Sequence, residues 1–205
     1  MPIHYPNGKP YQSPAQTAAP APVSYGGRGM TLEDELNQSN QYYRDTKRAV
    51  VYKKPTPMQI VKVDYPSRAQ AVVREAYFKT PSTTDYNGVY QGHYLDFDAK
   101  ETKNKQSFPL KNFHPHQVAH LNACLAQGGI CFVVIRFVTL HRLFLYPASD
   151  LNRCWEAALA DGRKSIPLTE IVEHGFELHP KLAPPVPYLD GVDWLIATKK
   201  GQTHG

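Results

Sequence analysis

The order of predicted elements along this chain indicates an α/β fold with a mixed central sheet flanked by helices. Helical periodicity after Thr31, a good N-cap with Asp34 three residues later, predicts a first helix that ends near Lys47. A continuous apolar run over residues 130–135 predicts a buried core strand that extends to Phe137. Because the order runs helix, strands, helix, strand, strand, helix, a layered α/β architecture is expected.

The other elements follow from local patterns. In the first helix, Leu36 and Tyr43 share a stripe that should face the sheet. A second helix is expected to end near Gln127, before Gly128 and Gly129. The remaining predictions are a buried strand at 49–52, extended segments at 58–65 and 71–78, a strand at 142–146 and a helix at 149–160. From Asp161 the chain reads as polar and proline-rich until the apolar residues 194–196.

The chain divides into a tail, a core domain and an insertion. Residues 1–27 contain six prolines and no acidic residue, which is typical of a disordered tail. Residues 28–200 are predicted as one domain, a size that buries a core without disulfides. Within it, residues 53–79 are expected to form a projecting β-rich arm, because Pro55 and Pro57 redirect the chain.

Cysteine spacing and hydropathy indicate the cellular compartment of the protein. Cys124, Cys131 and Cys154 show no paired spacing, so free thiols in a reducing compartment are expected rather than disulfides or a zinc knuckle. The longest apolar run is too short to span a bilayer. A soluble, cytoplasmic protein without membrane contacts is therefore predicted.

Positive charge is concentrated in the inserted arm. The net charge is +5. Residues 53–79 carry six basic residues against two acidic ones, and the basic ones are Lys53, Lys54, Lys62, Arg68, Arg74 and Lys79. Such a segment favours a polyanionic partner, because neutralised phosphates release counterions, although it also suits an ordinary soluble surface.

Acidic residues and a lysine on a predicted hairpin suggest a metal-dependent phosphodiesterase site. A glycine-containing turn follows Asp85, so Asp85 and Asp98 should lie on adjacent strands. Asp98 and Lys100 are two apart and share one strand face. Carboxylates can hold Mg²⁺ against a phosphate while an ammonium stabilises the transition-state charge. The alternative interpretation is that Asp98 and Lys100 are ordinary charged side chains on a solvent-exposed face of the strand.

A second register on the same strand offers the pair Glu101 and Lys103. Asp98 and Lys100 are preferred, because Phe97 and Ala99 then share the opposite, apolar face.

The second helix carries further candidate ligands. His116 and His120 are four apart, a spacing that zinc sites use, but Gln117 stands where a zinc-protease motif has Glu, so exposed imidazoles are the ordinary interpretation. The Gln117 amide oxygen could complete a Mg²⁺ shell. Neither a glycine-rich phosphate loop nor a nucleophile elbow occurs, which argues against a nucleotide-driven motor and a serine or cysteine hydrolase.

Several segments together resemble a known family over roughly residues 25–195. They are 28–30, 53–57, 63–66, 75–78, 82–89, 96–103 and 113–117, in order and with matching spacings. The chain looks like a RecU protein, one of the bacterial Holliday junction resolvases of the restriction-endonuclease-like superfamily. The resemblance implies a restriction-endonuclease-like core with a stalk at residues 53–79.

The resemblance also implies roles for the site residues. Asp85 and Asp98 are the expected metal carboxylates, Thr83 and Gln117 are further Mg²⁺ ligands, and Lys100 stabilises the transition state. Mn²⁺ is an expected substitute for Mg²⁺. The family usually has Glu where this chain has Asp98, and that difference could alter the preference between the two ions.

By the same resemblance, the stalk enters a four-way DNA junction during recombination and repair of DNA damage. The expected DNA contacts are Arg28, Lys53, Lys54, Lys62, Arg68, Arg74, Tyr77 and Phe78. A homodimer is implied, with a recombinase and a branch-migration helicase as further partners. The open alternatives are a non-catalytic protein that binds junctions and modulates a recombinase, and a nuclease that acts on duplex DNA.

Overall fold

The computed structural model describes residues 30–55, 57–67, 70–78 and 83–202. The predicted tail at residues 1–27 lies outside this part of the chain, as do Arg28, Arg68 and Lys79. Lys62, Arg74 and Phe78 are described as strand backbone only.

The described residues contain five α-helices, ten strands and two short 3-10 helices at Leu110–Asn112 and Val138–Leu140. The helices are α1 (Leu32–Asp45), α2 (Pro115–Ala126), α3 (Ala148–Leu159), α4 (Leu168–His174) and α5 (Tyr188–Gln202). The strands are β1 (Val50–Lys53), β2 (Met58–Ser67), β3 (Gln70–Phe78), β4 (Tyr86–Tyr90), β5 (His93–Thr102), β6 (Ser107–Pro109), β7 (Ile130–Phe137), β8 (Arg142–Pro147), β9 (Ser165–Pro167) and β10 (Phe176–Leu178).

A six-stranded sheet with the order β1-β4-β5-β7-β8-β10 forms the centre of the fold. Strands β5 and β7 are parallel, and the other neighbours in this sheet pair antiparallel. The predicted α/β fold with a mixed central sheet flanked by helices is therefore confirmed. Strands β2 and β3 form a two-stranded sheet of their own, as expected for the two extended segments of the arm.

Helix α1 begins with the predicted capping box. The Asp34 N–H donates to Thr31 Oγ1 at 3.2 Å, and the Thr31 N–H donates to Asp34 Oδ2 at 3.1 Å. Leu36 and Tyr43 are buried, as the stripe predicts. The helix ends at Asp45, before the predicted end, because Lys47 has a left-handed backbone with φ of 55°.

Two apolar cores cover the two faces of the sheet. One contains residues of α1 and α5 with alternate residues of the strands, including Phe97 and Phe132. The other contains residues of α2, α3 and α4 with the intervening strand residues, including Val133 and Ile135. Because Phe97 and Ala99 belong to the first core, Asp96, Asp98 and Lys100 are directed to the opposite face of β5.

The prediction of a buried strand at 49–52 was wrong in part. Ala49 and Val51 are buried, but Val50 and Tyr52 are each 56% exposed. Successive side chains of a strand point to opposite faces of the sheet. Strand β1 lies at the edge and is covered on one face only, so Val50 and Tyr52 are exposed on the other.

The chain after Asp161 contains regular structure that the sequence pattern did not indicate. Helix α5 places Tyr188, Leu189 and Val192 in the first core. Gly191 allows this helix to lie close to the sheet, because a Cβ there would come within 2.9 Å of Leu145 Cδ1.

Two expectations from composition can be compared with the described residues. Cys124, Cys131 and Cys154 all fall within them and form no disulfide, as predicted. None of the helices in this part of the chain is long and apolar enough to cross a membrane.

Candidate active site

The β4–β5 hairpin places Asp85 and Asp98 opposite each other at one end of the strand pair. In its antiparallel register Tyr86 lies opposite Phe97; Asp98 follows Phe97 on β5, and Asp85 is the residue immediately before β4 begins. The Asp85 carbonyl accepts a hydrogen bond from the Lys54 N–H at 2.7 Å, which fixes this segment beside the end of β1. The predicted placement on neighbouring strands is met for Asp98 on β5, whereas Asp85 lies just before β4. The glycine-containing turn expected after Asp85 was wrong, because Gly88 lies within β4 and the turn is at residues 91–92.

Asp98 is fully buried and paired with Lys100. Lys100 Nζ lies 3.0 Å from Asp98 Oδ2, and the Ala99 N–H donates to Asp98 Oδ1 at 2.9 Å. The two side chains share one strand face, as the spacing predicts. In the rival register, Glu101 forms an ion pair with Arg136 instead, at 3.4 Å, and Lys103 lies beyond the end of β5.

The ionisation of Asp98 is strongly perturbed. Burial raises its pKa to about 7, and the neighbouring Asp85 carboxyl adds to the rise while the Lys100 ammonium opposes it. A buried carboxyl with this pKa lacks enough positive charge around it to be fully ionised near neutral pH. A divalent cation would supply that charge.

A pocket of about 290 Å³ opens beside these residues. It is lined by Thr31, Leu32, Glu33, Asp85, Tyr86, Ala99, Lys100 and Glu101. Two of the acidic side chains in its wall already form ion pairs, Glu33 with Lys53 and Glu101 with Arg136. Asp85 and Lys100 therefore carry the chemistry of this pocket.

The donor set fits a hard divalent cation. Among the described residues the buried Asp98 Oδ2 has no hydrogen-bond partner; it lies 3.0 Å from Lys100 Nζ, and the Asp85 carboxyl is the other charged neighbour of Asp98. Thr83 is half-buried, and its hydroxyl donates to the Thr84 carbonyl at 3.3 Å, so its lone pairs remain available. Carboxylate and hydroxyl oxygens are ligands that Mg²⁺ accepts.

Gln117 is buried near the start of α2. Its Oε1 accepts a hydrogen bond from the His114 N–H at 3.2 Å, which caps the helix. An amide oxygen has a second lone pair, so this contact is compatible with the predicted role as a ligand.

A second polar cluster surrounds Asp96, a residue that was not predicted to belong to the site. Asp96 is fully buried and accepts hydrogen bonds from Lys54, Thr84, Tyr94 and, at 3.0 Å, His120. Burial alone would raise the pKa of Asp96, but the hydrogen bonds from Lys54, Thr84, Tyr94 and His120 outweigh it and hold the pKa below its ordinary value.

The alternation Asp96, Asp98, Lys100 on one strand face was the signal that could have revealed this cluster.

His116 and His120 were expected as exposed imidazoles, but both are half-buried, and they do not form a cluster together. His120 approaches Asp96 and Cys124, and the ligand atoms of these three residues lie within 4.8 Å of one another. His116 stacks on His114 instead, with ring centroids 5.4 Å apart. The structure therefore associates His120 with residues of β5 and α2 rather than with His116.

Comparison with known proteins places the chain in a family. The family model described as RecU, Recombination protein U, matches residues 27–194. The chain belongs to the RecU family. The protein called Holliday junction resolvase RecU from Lacticaseibacillus casei (strain BL23) is 69% identical over 208 residues, covering 100% of both chains.

A similarly named RecU protein from Latilactobacillus sakei subsp. sakei (strain 23K) is 61% identical over 204 residues, covering 96% of this chain and 97% of its own. Among solved structures, Archaeoglobus fulgidus Hjc, a Holliday junction resolvase, matches with a TM-score of 0.34 and 12% identity, over 62% of this chain and 84% of that chain.

Three side chains expected to contact DNA are described, and they differ in how exposed they are to a partner. Lys53 lies at the surface and pairs with Glu33. Lys54 points inward to Asp96 at 2.8 Å, and its side chain is only 18% exposed. Tyr77, on β3, is 60% exposed. Lys53 and Tyr77 are thus accessible to a large partner, whereas Lys54 already has a buried one.

Proposed function

We propose that this RecU family chain is an endonuclease that resolves Holliday junctions by Mg²⁺-dependent, symmetric cleavage of phosphodiester bonds in recombination and DNA repair. The names of its close relatives support the substrate. The observation that carries the proposal is the buried Asp98 carboxylate, which is paired with Lys100 and lies across from Asp85, the residue just before the neighbouring strand β4.

Residues of this chain would supply the ligands of the metal ion and a positive charge for the transition state. Asp85 and Asp98 would hold Mg²⁺, or Mn²⁺ in its place, with Thr83 and Gln117 as further oxygen ligands. When bound, the ion would polarise the scissile phosphate and activate a water for attack. Lys100 would place its ammonium against the transferring phosphate and stabilise the charge that develops in the transition state.

The inserted hairpin β2–β3 would bind the junction. Among the described side chains the accessible candidates are Lys53, at the end of β1, and Tyr77, on β3. The other proposed DNA contacts are Arg28, Lys62, Arg68, Arg74 and Phe78. Phosphate neutralisation by such residues drives binding and makes it dependent on salt. Aromatic side chains can stack against exposed bases whatever the sequence.

The symmetry of the substrate favours a homodimer. A four-way junction is approximately two-fold symmetric, so two copies related by a two-fold axis would place identical sites on opposed strands. The proposal includes a cytoplasmic location and contacts with a recombinase and a branch-migration helicase.

The test is cleavage of a mobile four-way junction, a static junction and a linear duplex, with and without Mg²⁺. The wild-type protein should cut the junctions only with the metal and should keep this preference in excess duplex. Asp85→Ala should abolish cleavage while junction binding persists. Glu173→Ala, which removes an exposed carboxylate from α4, is the matched control and should cut normally.

Each contrary outcome has a distinct meaning. Cleavage by Asp85→Ala at the wild-type rate would remove Asp85 from the site. Equal cleavage of linear duplex would indicate a general nuclease. Tight junction binding without cleavage in either Mg²⁺ or Mn²⁺ would favour the non-catalytic alternative.

A further inference from the structure

We propose that Asp96 is a positioning residue, which through Lys54 and Thr84 holds Asp85 in place across from Asp98. The inference deepens the proposed function and rests on it, since it concerns the geometry of the same metal site. Asp96 itself is not assigned as a metal ligand or as a catalytic residue.

The Asp96 carboxylate joins four separate parts of the chain. Its Oδ2 lies 2.8 Å from Lys54 Nζ, 2.7 Å from the Tyr94 hydroxyl and 3.0 Å from His120 Nε2. Its Oδ1 accepts a hydrogen bond from the Thr84 hydroxyl. These partners come from the segment after β1, the segment before β4, β5 itself and α2. A fully buried carboxylate with this many donors fixes the relative position of all four.

Two of these partners hold Asp85 directly. Thr84 precedes Asp85, and the Lys54 ammonium donates to the Thr84 hydroxyl at 2.9 Å. The Lys54 main-chain N–H donates to the Asp85 carbonyl at 2.7 Å. Lys54 therefore binds the Thr84–Asp85 segment through both its side chain and its backbone, and Asp96 neutralises the ammonium that makes one of these contacts.

The same carboxylate lies on the strand that carries the second ligand candidate. Asp96 precedes Asp98 by two residues on β5, so both project from one strand face. The hydrogen bonds of Asp96 with Thr84 and Lys54 thus connect the segment that contains Asp85 directly to β5, the strand that contains Asp98. A misplacement of about 1 Å between reacting groups can cost roughly 10²-fold in rate. Loss of the network should accordingly impair the site without removing any ligand.

A metal ion in the Asp96 cluster is the competing interpretation, because Asp96, His120 and Cys124 present suitable atoms within 4.8 Å of one another. The cluster already contains a cation. Lys54 Nζ lies 2.8 Å from Asp96 Oδ2 and 3.5 Å from His120 Nε2. A metal would have to displace this ammonium from the buried carboxylate. Breaking a buried ion pair costs free energy, because it leaves a charge without its partner. The geometry favours the ammonium as the ion of this cluster.

The test uses Asp96→Asn, which keeps the size of the side chain and removes its charge. Mn²⁺ is the probe, measured by calorimetry on the DNA-free protein, and cleavage kinetics are measured on a four-way junction. We expect Mn²⁺ affinity to fall about 10-fold or more and kcat to fall roughly 10²-fold, with KM and junction affinity unchanged. A loss confined to overall stability would change neither metal affinity nor kcat in the folded fraction.

Conservative and matched variants separate positioning from a general defect. Thr84→Ser keeps the hydroxyl and should behave as wild type, whereas Thr84→Val should reproduce Asp96→Asn. Thr198→Val is the matched control, since it removes the hydroxyl of an exposed threonine on α5, which donates to the Trp194 carbonyl and lies outside the network. If Asp96→Asn does not fold, the Thr84 pair decides the question by the same two measurements.

The proposal is overturned if Asp96→Asn and Thr84→Val bind Mn²⁺ and cut at wild-type levels, or if they lose junction affinity while kcat is unchanged. Zinc binding to the wild type that Cys124→Ala abolishes would establish the metal interpretation instead. If Asp85→Ala abolishes cleavage but Asp96→Asn does not impair it, only the positioning role fails. If the wild type cuts no junction, the proposed function fails, and Mn²⁺ affinity still tests the positioning role.

Discussion

Lys100 Nζ lies 3.0 Å from Asp98 Oδ2 on one face of β5. The carboxylate is fully buried, whereas the lysine side chain is 18% exposed and lines the pocket that Asp85 also lines. The pair therefore joins a buried negative charge to a positive charge that can reach a substrate. Its two members should respond differently to mutation, because only the carboxylate is proposed to bind the metal.

Replacing Lys100 with methionine should impair the chemical step. Loss of one transition-state donor typically costs about 10² to 10³ in kcat, and single-turnover cleavage of a four-way junction measures it. Junction affinity should change little, because the lysine contributes one charge among many. Lys111→Met, at an exposed lysine outside the pocket, is the matched control. A Lys100→Met rate within threefold of wild type would exclude the assigned role.

The raised pKa of Asp98 predicts how metal-free stability depends on pH. The pKa is about 7 in the folded chain and 3.8 for the unperturbed group, so between these values the folded state binds more protons than the unfolded state. Stability should then fall as pH rises from about 4 to about 7, and level off above that range. Thermal unfolding in a chelator, across this pH range, measures the slope.

Asp98→Asn should remove this slope. At pH 8 the variant should unfold several degrees above wild type, since 1 kcal/mol shifts the midpoint by roughly 2 to 4 °C in a chain of this size. Near pH 4.5 the two proteins should unfold at closely similar temperatures. Equal midpoints at pH 8 would contradict the raised pKa. Adding Mg²⁺ should stabilise the wild type and leave Asp98→Asn largely unaffected.

Gly88 permits the close pairing of β1 and β4. A Cβ at this position would lie 2.6 Å from Val51 Cα and would also clash with the Val50 carbonyl oxygen. Both neighbours are backbone atoms, so the strands must separate to accept Gly88→Ala. We expect a loss of about 2 kcal/mol or more in the free energy of unfolding, measured by urea denaturation.

The control for that experiment is Gly92→Ala in the β4–β5 turn. No heavy atom lies within 4 Å of a Cβ there, and the cost comes only from its φ of +79°. Gly92→Ala should therefore be the milder change. The reverse ranking would show that β1 can move away from β4 without loss.

The surface pair of Lys53 with Glu33 should modulate DNA binding. Glu33→Gln releases the lysine for phosphate contact and should strengthen junction binding. Lys53→Gln should weaken binding and reduce the salt slope of log affinity by about 1. Lys181→Gln breaks a comparable exposed pair with Asp190 and should change neither quantity. An unchanged slope for Lys53→Gln would remove Lys53 from the DNA surface.

Local patterns predicted the elements whose signal is contained in a short window. The capping box at Thr31, the apolar run of β7 and the shared face of Asp98 and Lys100 all depend on neighbours within a few residues. These features were correct because helix and strand periodicity alone determines them.

The features that were missed depend on distant parts of the chain. Asp96 is a buried anion because Lys54, 42 residues away, and His120, 24 residues away, converge on it. Tyr188 enters the core through α5, although the sequence around it is rich in proline. The exposure of Val50 and Tyr52 follows from the edge position of β1, which only the strand order reveals.

The sheet register at Lys53 and Tyr86 has a consequence for protein engineering. These residues are direct partners in the antiparallel pair of β1 and β4, so the chain leaves the sheet and returns to it at adjacent points. A short reverse turn could therefore close the gap if β2 and β3 were excised beyond Lys54 and before Thr84. We therefore expect the β2–β3 segment to be exchangeable as a unit. Hairpins from other members of the family could be grafted onto this catalytic body without altering the order of its central strands.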